Sequence, residues 1–155
     1  IRPAARLQAD LAGPINASQT PEYYRVEACN RYDNEGRLLQ TTDHMGVVTS
    51  YVWGYGGRHV VAKIVGAAYE QVQLKTERTD PYPEGISPSA ENALRALPGV
   101  MVTTYTYQPL IGISRITDPA GRSIYYDYDE YGRLSHERDT RDHVTRSYDY
   151  QMLNE

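Results

Sequence analysis

A unit recurs along this chain of 155 residues, and the recurrence limits the fold more than any single residue does. Tyr32-Asp33-Asn34-Glu35-Gly36-Arg37-Leu38 returns as Tyr128-Asp129-Glu130-Tyr131-Gly132-Arg133-Leu134. An aspartate follows each tyrosine at the same distance, Asp43 after Tyr32 and Asp139 after Tyr128. A third copy, without the first turn, runs at that spacing from Tyr107 through Gly112 to Asp118. Two of these aspartates open an Asp-x-x-Gly sequence, Asp43-His44-Met45-Gly46 and Asp118-Pro119-Ala120-Gly121. Aromatic residues then follow at alternate positions: Tyr51 and Trp53, Tyr126 and Tyr128, Tyr148 and Tyr150. The last copy departs from the pattern, because Asp142 replaces the glycine and one extra residue precedes the final pair.

Asp-x-x-Gly is the sequence of a four-residue turn. The aspartate accepts from the backbone two residues on, and the glycine takes a positive φ. Gly36, Gly46, Gly121 and Gly132 are therefore expected in turns between antiparallel strands. Between the turns, residues alternate with period two and are rich in Thr, Tyr, Val and Ile, which is strand patterning. Ile124, Tyr126 and Tyr128 fall on one face, Tyr125 and Asp127 on the other; Thr103, Tyr105 and Tyr107 repeat the alternation. The pattern predicts strands near 22–32, 36–42, 47–54, 59–65, 101–108, 112–117, 122–129, 132–138 and 143–150. The expected fold is mostly β: antiparallel hairpin repeats forming a curled sheet, with one or two short helices in a central insert.

The chain divides accordingly into a poorly ordered arm over 1–20, a first β block over 21–65, an insert over 66–100 and a second β block over 101–155. The insert contains Asp80-Pro81-Tyr82-Pro83-Glu84-Gly85, which no regular element accommodates. Ser87-Pro88 then supplies an N-cap and a proline at the first helical position. Ala90, Leu94 and Leu97 share one face of that helix, and Pro98-Gly99 ends it. A shorter helix near Ala67–Lys75 carries a weaker signal.

Composition sets outer bounds on function. The net charge of −4 offers no electrostatic footprint for nucleic acid. No apolar run approaches the roughly 20 residues of a membrane-spanning helix. Cys29 is the one cysteine, so neither an internal disulfide nor a cysteine metal cage is available; its alternating strand position suggests a small buried hydrophobe. Asn16-Ala17-Ser18 matches a glycosylation sequon, a match that is common by chance. The aromatic content is unusual, with 15 Tyr, one Trp and no Phe. Tyrosine keeps one end dry and one end wet, so many half-exposed ring sites are expected rather than one thick core. The chain opens on Ile1 and is expected to be a piece of a longer protein.

The copies at Tyr32–Leu38 and Tyr128–Leu134, with Asp118-x-x-Gly121 and Asp139, resemble the YD repeats of the Rhs/YD-repeat family. The segments Ser50-Tyr51-Val52-Trp53-Gly54-Tyr55 and Val102-Thr103-Thr104-Tyr105-Thr106-Tyr107 are similar to YD-repeat proteins of the Bacteroidetes type. The resemblance covers roughly 28–65 and 101–150. It implies a hairpin spiral that, in large members, coils into a shell around a toxin or other cargo or builds an adhesive surface protein. It also implies a secreted or cell-surface bacterial setting. Some members carry a self-cleaving aspartate in a core domain beyond the repeats. Asp118-Pro119 is only superficially similar to that site, since it occupies a repeat turn, and the activity is not carried over.

Three function classes remain to be separated. A structural module would use its tyrosines for cross-strand packing with Tyr and Arg, as expected when rings recur at the repeat period. A carbohydrate-binding surface would stack sugars on Tyr51, Trp53, Tyr105, Tyr107, Tyr126 and Tyr128. A glycoside hydrolase would need two carboxylates roughly 5–10 Å apart in a cleft. Asp43, Asp118 and Asp139 are better explained as turn formers. His44 and His143 fall at turns and His59 and His136 in strands, none at ligand spacing, so neither metal nor cofactor is expected. Arg37 and Arg133 are expected to lay their stems along Tyr faces and reach an aspartate. No triad or nucleophile elbow is visible. The reading is a non-enzymatic scaffold whose partners are neighbouring repeats of the parent chain, with self-association through strand edges, a glycan as a further partner, and neither nucleic acid nor membrane insertion.

Overall fold

The computed structural model describes residues 28–77 and 81–151. The expected arm over 1–20, the start of the first strand before Ala28, and Asp80 lie outside the described residues. Nine strands follow in chain order: β1 (Ala28–Tyr32), β2 (Leu38–Asp43), β3 (Val48–Gly54), β4 (His59–Val65), β5 (Met101–Gln108), β6 (Gly112–Thr117), β7 (Ser123–Tyr128), β8 (Leu134–Arg138) and β9 (Val144–Ser147). Each pairs antiparallel with the next, giving one open sheet in the order β1 to β9. Between β4 and β5 the chain leaves the sheet and forms two helices, α1 (Tyr69–Thr76) and α2 (Pro88–Arg95). The mostly antiparallel β architecture with short helices is the one the periodicity predicts. The last strand stops at Ser147, so Tyr148 and Tyr150 extend beyond it.

One turn chemistry joins five of the strand pairs. At Asp33, Asp43, Asp118, Asp129 and Asp139 the aspartate N–H donates to the carbonyl four residues on, at 2.8–3.1 Å. The residue three positions on donates back to the aspartate carbonyl at 2.9–3.1 Å. The carboxylate Oδ1 accepts the N–H of the fourth residue at 2.9–3.0 Å in every one of them. At four of the five, Oδ1 also accepts the N–H two residues on. The third residue has φ near +80° at Gly36, Gly46 and Gly121 and +74° at Gly132. Asp142 takes this place in the last turn with φ +67°, a region in which Asp and Asn are the better-tolerated non-glycine residues. Where arginine occupies the fourth position, its Nε also donates to Oδ2, as at Arg37 (2.6 Å), Arg122 (2.8 Å) and Arg133 (2.8 Å). Two β turns use other chemistry: Gly54 to Arg58 between β3 and β4, and Gln108 to Gly112 between β5 and β6.

The core is small and sits where the insert covers the middle of the sheet. Val52 from β3, Val61, Ala62 and Ile64 from β4, and Val102 from β5 pack against Ala67, Val72, Tyr82, Ala90 and Leu94 of the insert. Leu97 packs against the same cluster, completing the helix face read from the sequence. Gly54 shows how close the layers come. A Cβ there would lie 2.3 Å from the Glu84 carbonyl oxygen and 2.6 Å from Val61 Cγ1. Polar contacts lock the insert down. The Ser50 hydroxyl donates to the Ala67 carbonyl at 2.7 Å. Arg95 pairs with Glu91 and donates to the carbonyls of Val102 (3.1 Å) and Asp118 (3.0 Å), while Thr104 donates to the same Glu91 carboxylate. Ser87 caps α2 by accepting the Ala90 N–H. Helix α1 has no such residue at its start. Gln71 accepts the Ala68 N–H at 3.0 Å, and Gln40, from β2, accepts the Tyr69 N–H at 2.9 Å.

Two stability predictions follow from the turns and the insert. Gly121→Val meets no steric obstacle, since nothing lies within 4 Å of its Cβ, so its cost is conformational. It should destabilise by about 1–2 kcal/mol, a fall in Tm of several degrees. Gly54→Ala has the opposite origin, a clash with fixed backbone, and should cost about 1–3 kcal/mol in thermal denaturation.

A third concerns acid. The carboxyls of Asp118, Asp129 and Asp139 are held below the usual 3.8, mainly by the backbone N–H donated from the fourth residue of the turn. For Asp33, burial acts upward but is outweighed by the bonds from Arg37 and Glu35, and the net shift is also downward. A depressed folded-state value means stabilisation that is complete above the unfolded value and lost as pH falls through the folded one. Tm should therefore hold steady above about pH 5 and fall below about pH 4. Asp129→Asn should make that fall shallower.

Candidate functional site

A second repeated device lies at one end of the sheet, and it uses three of the six aromatic residues that the sequence offers for ligand stacking. The Trp53 Nε1 donates to the Leu38 carbonyl at 2.8 Å. The Tyr107 hydroxyl donates to the Val60 carbonyl at 3.0 Å, and Tyr128 to the Ile113 carbonyl at 2.7 Å. Tyr150 adds a fourth case, donating to the Leu134 carbonyl at 3.0 Å. In each, an aromatic residue at the end of one odd-numbered strand, or just past it, reaches the beginning of the even-numbered strand before it. Each acceptor stands beside an irregularity in the ladder, where Tyr32 pairs with Leu38, Trp53 with Val60, Tyr107 with Ile113 and Tyr128 with Leu134. A bulge breaks the ladder locally, and the aromatic donor satisfies a carbonyl there. Gly112 makes space for one of these clips: a Cβ there would lie 2.7 Å from the Tyr128 hydroxyl.

The other three rings have no such bond. Tyr51 pairs with Lys63, which pairs with Thr103; Tyr105 pairs with Ile116, which pairs with Ile124; Tyr126 pairs with Glu137. Alternation therefore sets Tyr51, Tyr105 and Tyr126 on the sheet face opposite the insert, since Ser50, Val52, Val102 and Thr104 point into the covered side. These rings are half-buried. Burial pushes the phenols of Tyr105, Tyr107, Tyr126 and Tyr128 up.

Tyr107 also belongs to a ring cluster. It stacks on His59, centroids 4.4 Å apart, and meets Tyr55 edge-on at 5.5 Å. The Tyr55 hydroxyl accepts the Tyr107 N–H at 2.9 Å. Arg133 lies over Tyr131 and Tyr150, 5.0 and 4.6 Å from the ring centroids, while pairing with Asp129. On β7 and β8, Arg138 grips Asp127 through Nη2 at 2.7 Å and holds that carboxyl down. Asp33 and Asp129, not among the turn formers expected from the sequence, make the same kind of turn as Asp43, Asp118 and Asp139; the Asp-x-x-Gly spacing within Tyr-Asp-x-x-Gly is the signal that identifies them.

Asp43, Asp118 and Asp139 lie in three separate turns, each carboxylate bonded to its own turn backbone. Among the described residues no cluster of three or more His, Cys, Asp or Glu is arranged to hold a metal. Cys29 is exposed, not buried as its alternation suggested. It lies on β1, which has no strand on its outer side among the described residues and contributes no residue to the core cluster.

No family model matches the sequence, and no curated protein matches it. Similar solved structures include the crystal structure of TcdB2-TccC3 without hypervariable C-terminal region, at 13% identity and a TM-score of 0.34 over 73% of this chain. Those of TcdB2-TccC3-TEV and TcdB2-TccC3-Cdc42 are similar at 14% identity, each with a TM-score of 0.29 over 73% of the chain. The chain spans 8% of the length of each of these neighbours.

Proposed function

We propose that the chain is a non-enzymatic structural module of a larger YD-repeat protein, a length of wall in a shell or surface scaffold of secreted or cell-surface type. The observation that supports this reading is the pairing of two devices at the repeat period. Aspartates cap five turns, and aromatic donors clip four ladder irregularities. Polar groups that a catalytic or binding site would aim at a ligand are here spent on the backbone of the sheet itself. A device that recurs along a chain is also what a scaffold needs and a single grafted site does not.

The clips give the first test. Tyr128→Phe removes a donor and leaves the Ile113 carbonyl without it, at a cost of about 1 kcal/mol and a few degrees of Tm. A module whose integrity rests on these bonds should lose stability similarly in Trp53→Phe, and an unchanged Tm in both would count against the reading. The second test concerns assembly. All four residues of β9 are exposed, and the strand has no partner on its outer side among the described residues. Light scattering should show a mass that rises with concentration as edges pair. Val144→Lys, which places a charge on that edge, should hold the chain closer to a monomer. A strict monomer at high concentration in the unsubstituted chain would refute edge pairing.

A further inference from the structure

The hairpin ends carry a cleft whose polar side chains the turn and clip chemistry does not wholly consume. It lies between the β3–β4 and β5–β6 turns, has a volume of about 360 Å³, and is lined by Tyr55, His59, Tyr107, Pro109, Leu110 and Ile111. That volume holds about a dozen waters at liquid density, the size of a small ring with a short side chain. It lies at the lower end of the range for small-molecule sites.

Three features point to a ligand. The first is Leu110, which is fully exposed, at 105%, with φ +65°. A branched apolar residue in a left-handed turn and out in water breaks two local rules at once, and such breaks concentrate at functional sites. The second is Arg58. It is exposed at the cleft, and its guanidinium makes no ion pair or hydrogen bond among the described residues. By contrast Arg37, Arg122 and Arg133, at the fourth position of their aspartate turns, and Arg138 of β8 are each held in an ion pair. The third is that the side chains of His59 and Gln108, at the same cleft, are likewise without a hydrogen-bond partner among the described residues. The Tyr55 and Tyr107 hydroxyls, by contrast, are committed to backbone. The free polar groups therefore comprise one planar cation, an imidazole and an amide beside an otherwise apolar and aromatic wall.

We infer that this cleft binds a small apolar carboxylate, an aryl or branched-alkyl body ending in a carboxyl group. Arg58 takes the carboxylate through its two-pronged guanidinium, Gln108 donates its amide to the same oxygens, and the body packs between Leu110 and the His59–Tyr107 stack. A guanidinium fork matches a carboxylate in geometry as well as in charge. A phosphate would call for more than one cation, and a neutral polyol for more free donors and acceptors than the wall supplies. The carboxylate could come from a free acid or from the last residue of a peptide. This inference stands on the cleft alone and is independent of the scaffold reading.

The test is a titration of the intact chain, by calorimetry and saturation-transfer NMR, with 3-phenylpropionate, the matching neutral alcohol, N-acetylphenylalanine and inorganic phosphate. The acids should bind in the millimolar range and the alcohol about tenfold more weakly, the factor expected for one charge-assisted hydrogen-bonded contact. Arg58→Gln, at an exposed and unpaired position, should fold normally and abolish the preference for acid over alcohol. Leu110→Gly should raise Tm by relieving the turn, yet weaken both acids several-fold. Tighter binding of N-acetylphenylalanine than of 3-phenylpropionate identifies a peptide end as the ligand, and the reverse identifies a free acid. Equal binding of acid and alcohol, phosphate binding as tight as either acid, or an acid preference that survives Arg58→Gln would each overturn the proposal.

Discussion

The structure depends on how a nearly one-layered sheet satisfies its own backbone. A sheet buried on both faces can rely on apolar packing to hold its strands. Here the packed core is confined to β3, β4 and β5 under the insert; α1 meets β1 and β2 through Arg31 and Gln40, and no residue of β7, β8 or β9 joins the core cluster. The cohesion of the flanking strands comes from the ladder, and the ladder is irregular beside five of the hairpin turns. At four of them an aromatic donor from the following hairpin bonds the carbonyl beside the irregularity, so a local defect becomes a link between hairpins. Tyrosine and tryptophan suit this task because one end donates while the ring packs along the strands. Phenylalanine could fill the same space and leave the carbonyl unpaired, which gives a physical reason for a chain with many tyrosines and no phenylalanine.

Most of the fold was legible in the sequence because its signals are local. The Asp-x-x-Gly turns need only four adjacent residues, and strand alternation needs only six or seven. Ser87-Pro88 likewise marks the start of α2 without reference to anything distant. Helix α1 was legible only weakly because its cap is tertiary: Gln40, across from the insert on β2, accepts the first helical N–H. The alternation of Cys29 suggested burial, but alternation reports only which face a residue takes. Whether that face is covered depends on the insert, which meets β1 at Arg31, through Glu70 and the Tyr69 ring, and leaves Cys29 exposed.

The candidate site was legible in part. The sequence singles out the right rings, since Trp53, Tyr107 and Tyr128 each hold a fixed place in the repeat. It does not separate clip donors from the open-face rings Tyr51, Tyr105 and Tyr126, because that distinction depends on the bulges, and a bulge is a register event between two strands. The cleft beside Leu110 was invisible for a related reason. Its walls come from two hairpin turns far apart in sequence, brought together only when the insert closes β4 onto β5.

That closure governs how the molecule should assemble itself. Every strand contacts its sequence neighbour, so nearly all pairings are short-range and can form early and independently. The exception is the β4–β5 junction, whose pairing must gather the whole excursion from Gly66 to Val100. The entropy of closing that loop rises only slowly with its length, but it must be met before Val102 and Leu94 are buried together. Two hairpin arms could thus form on either side as separate local structures, with the insert as the late step that fuses them into one cooperative body. The same step gives the centre its protection from solvent exchange, and leaves β9, exposed throughout, as the strand that opens first.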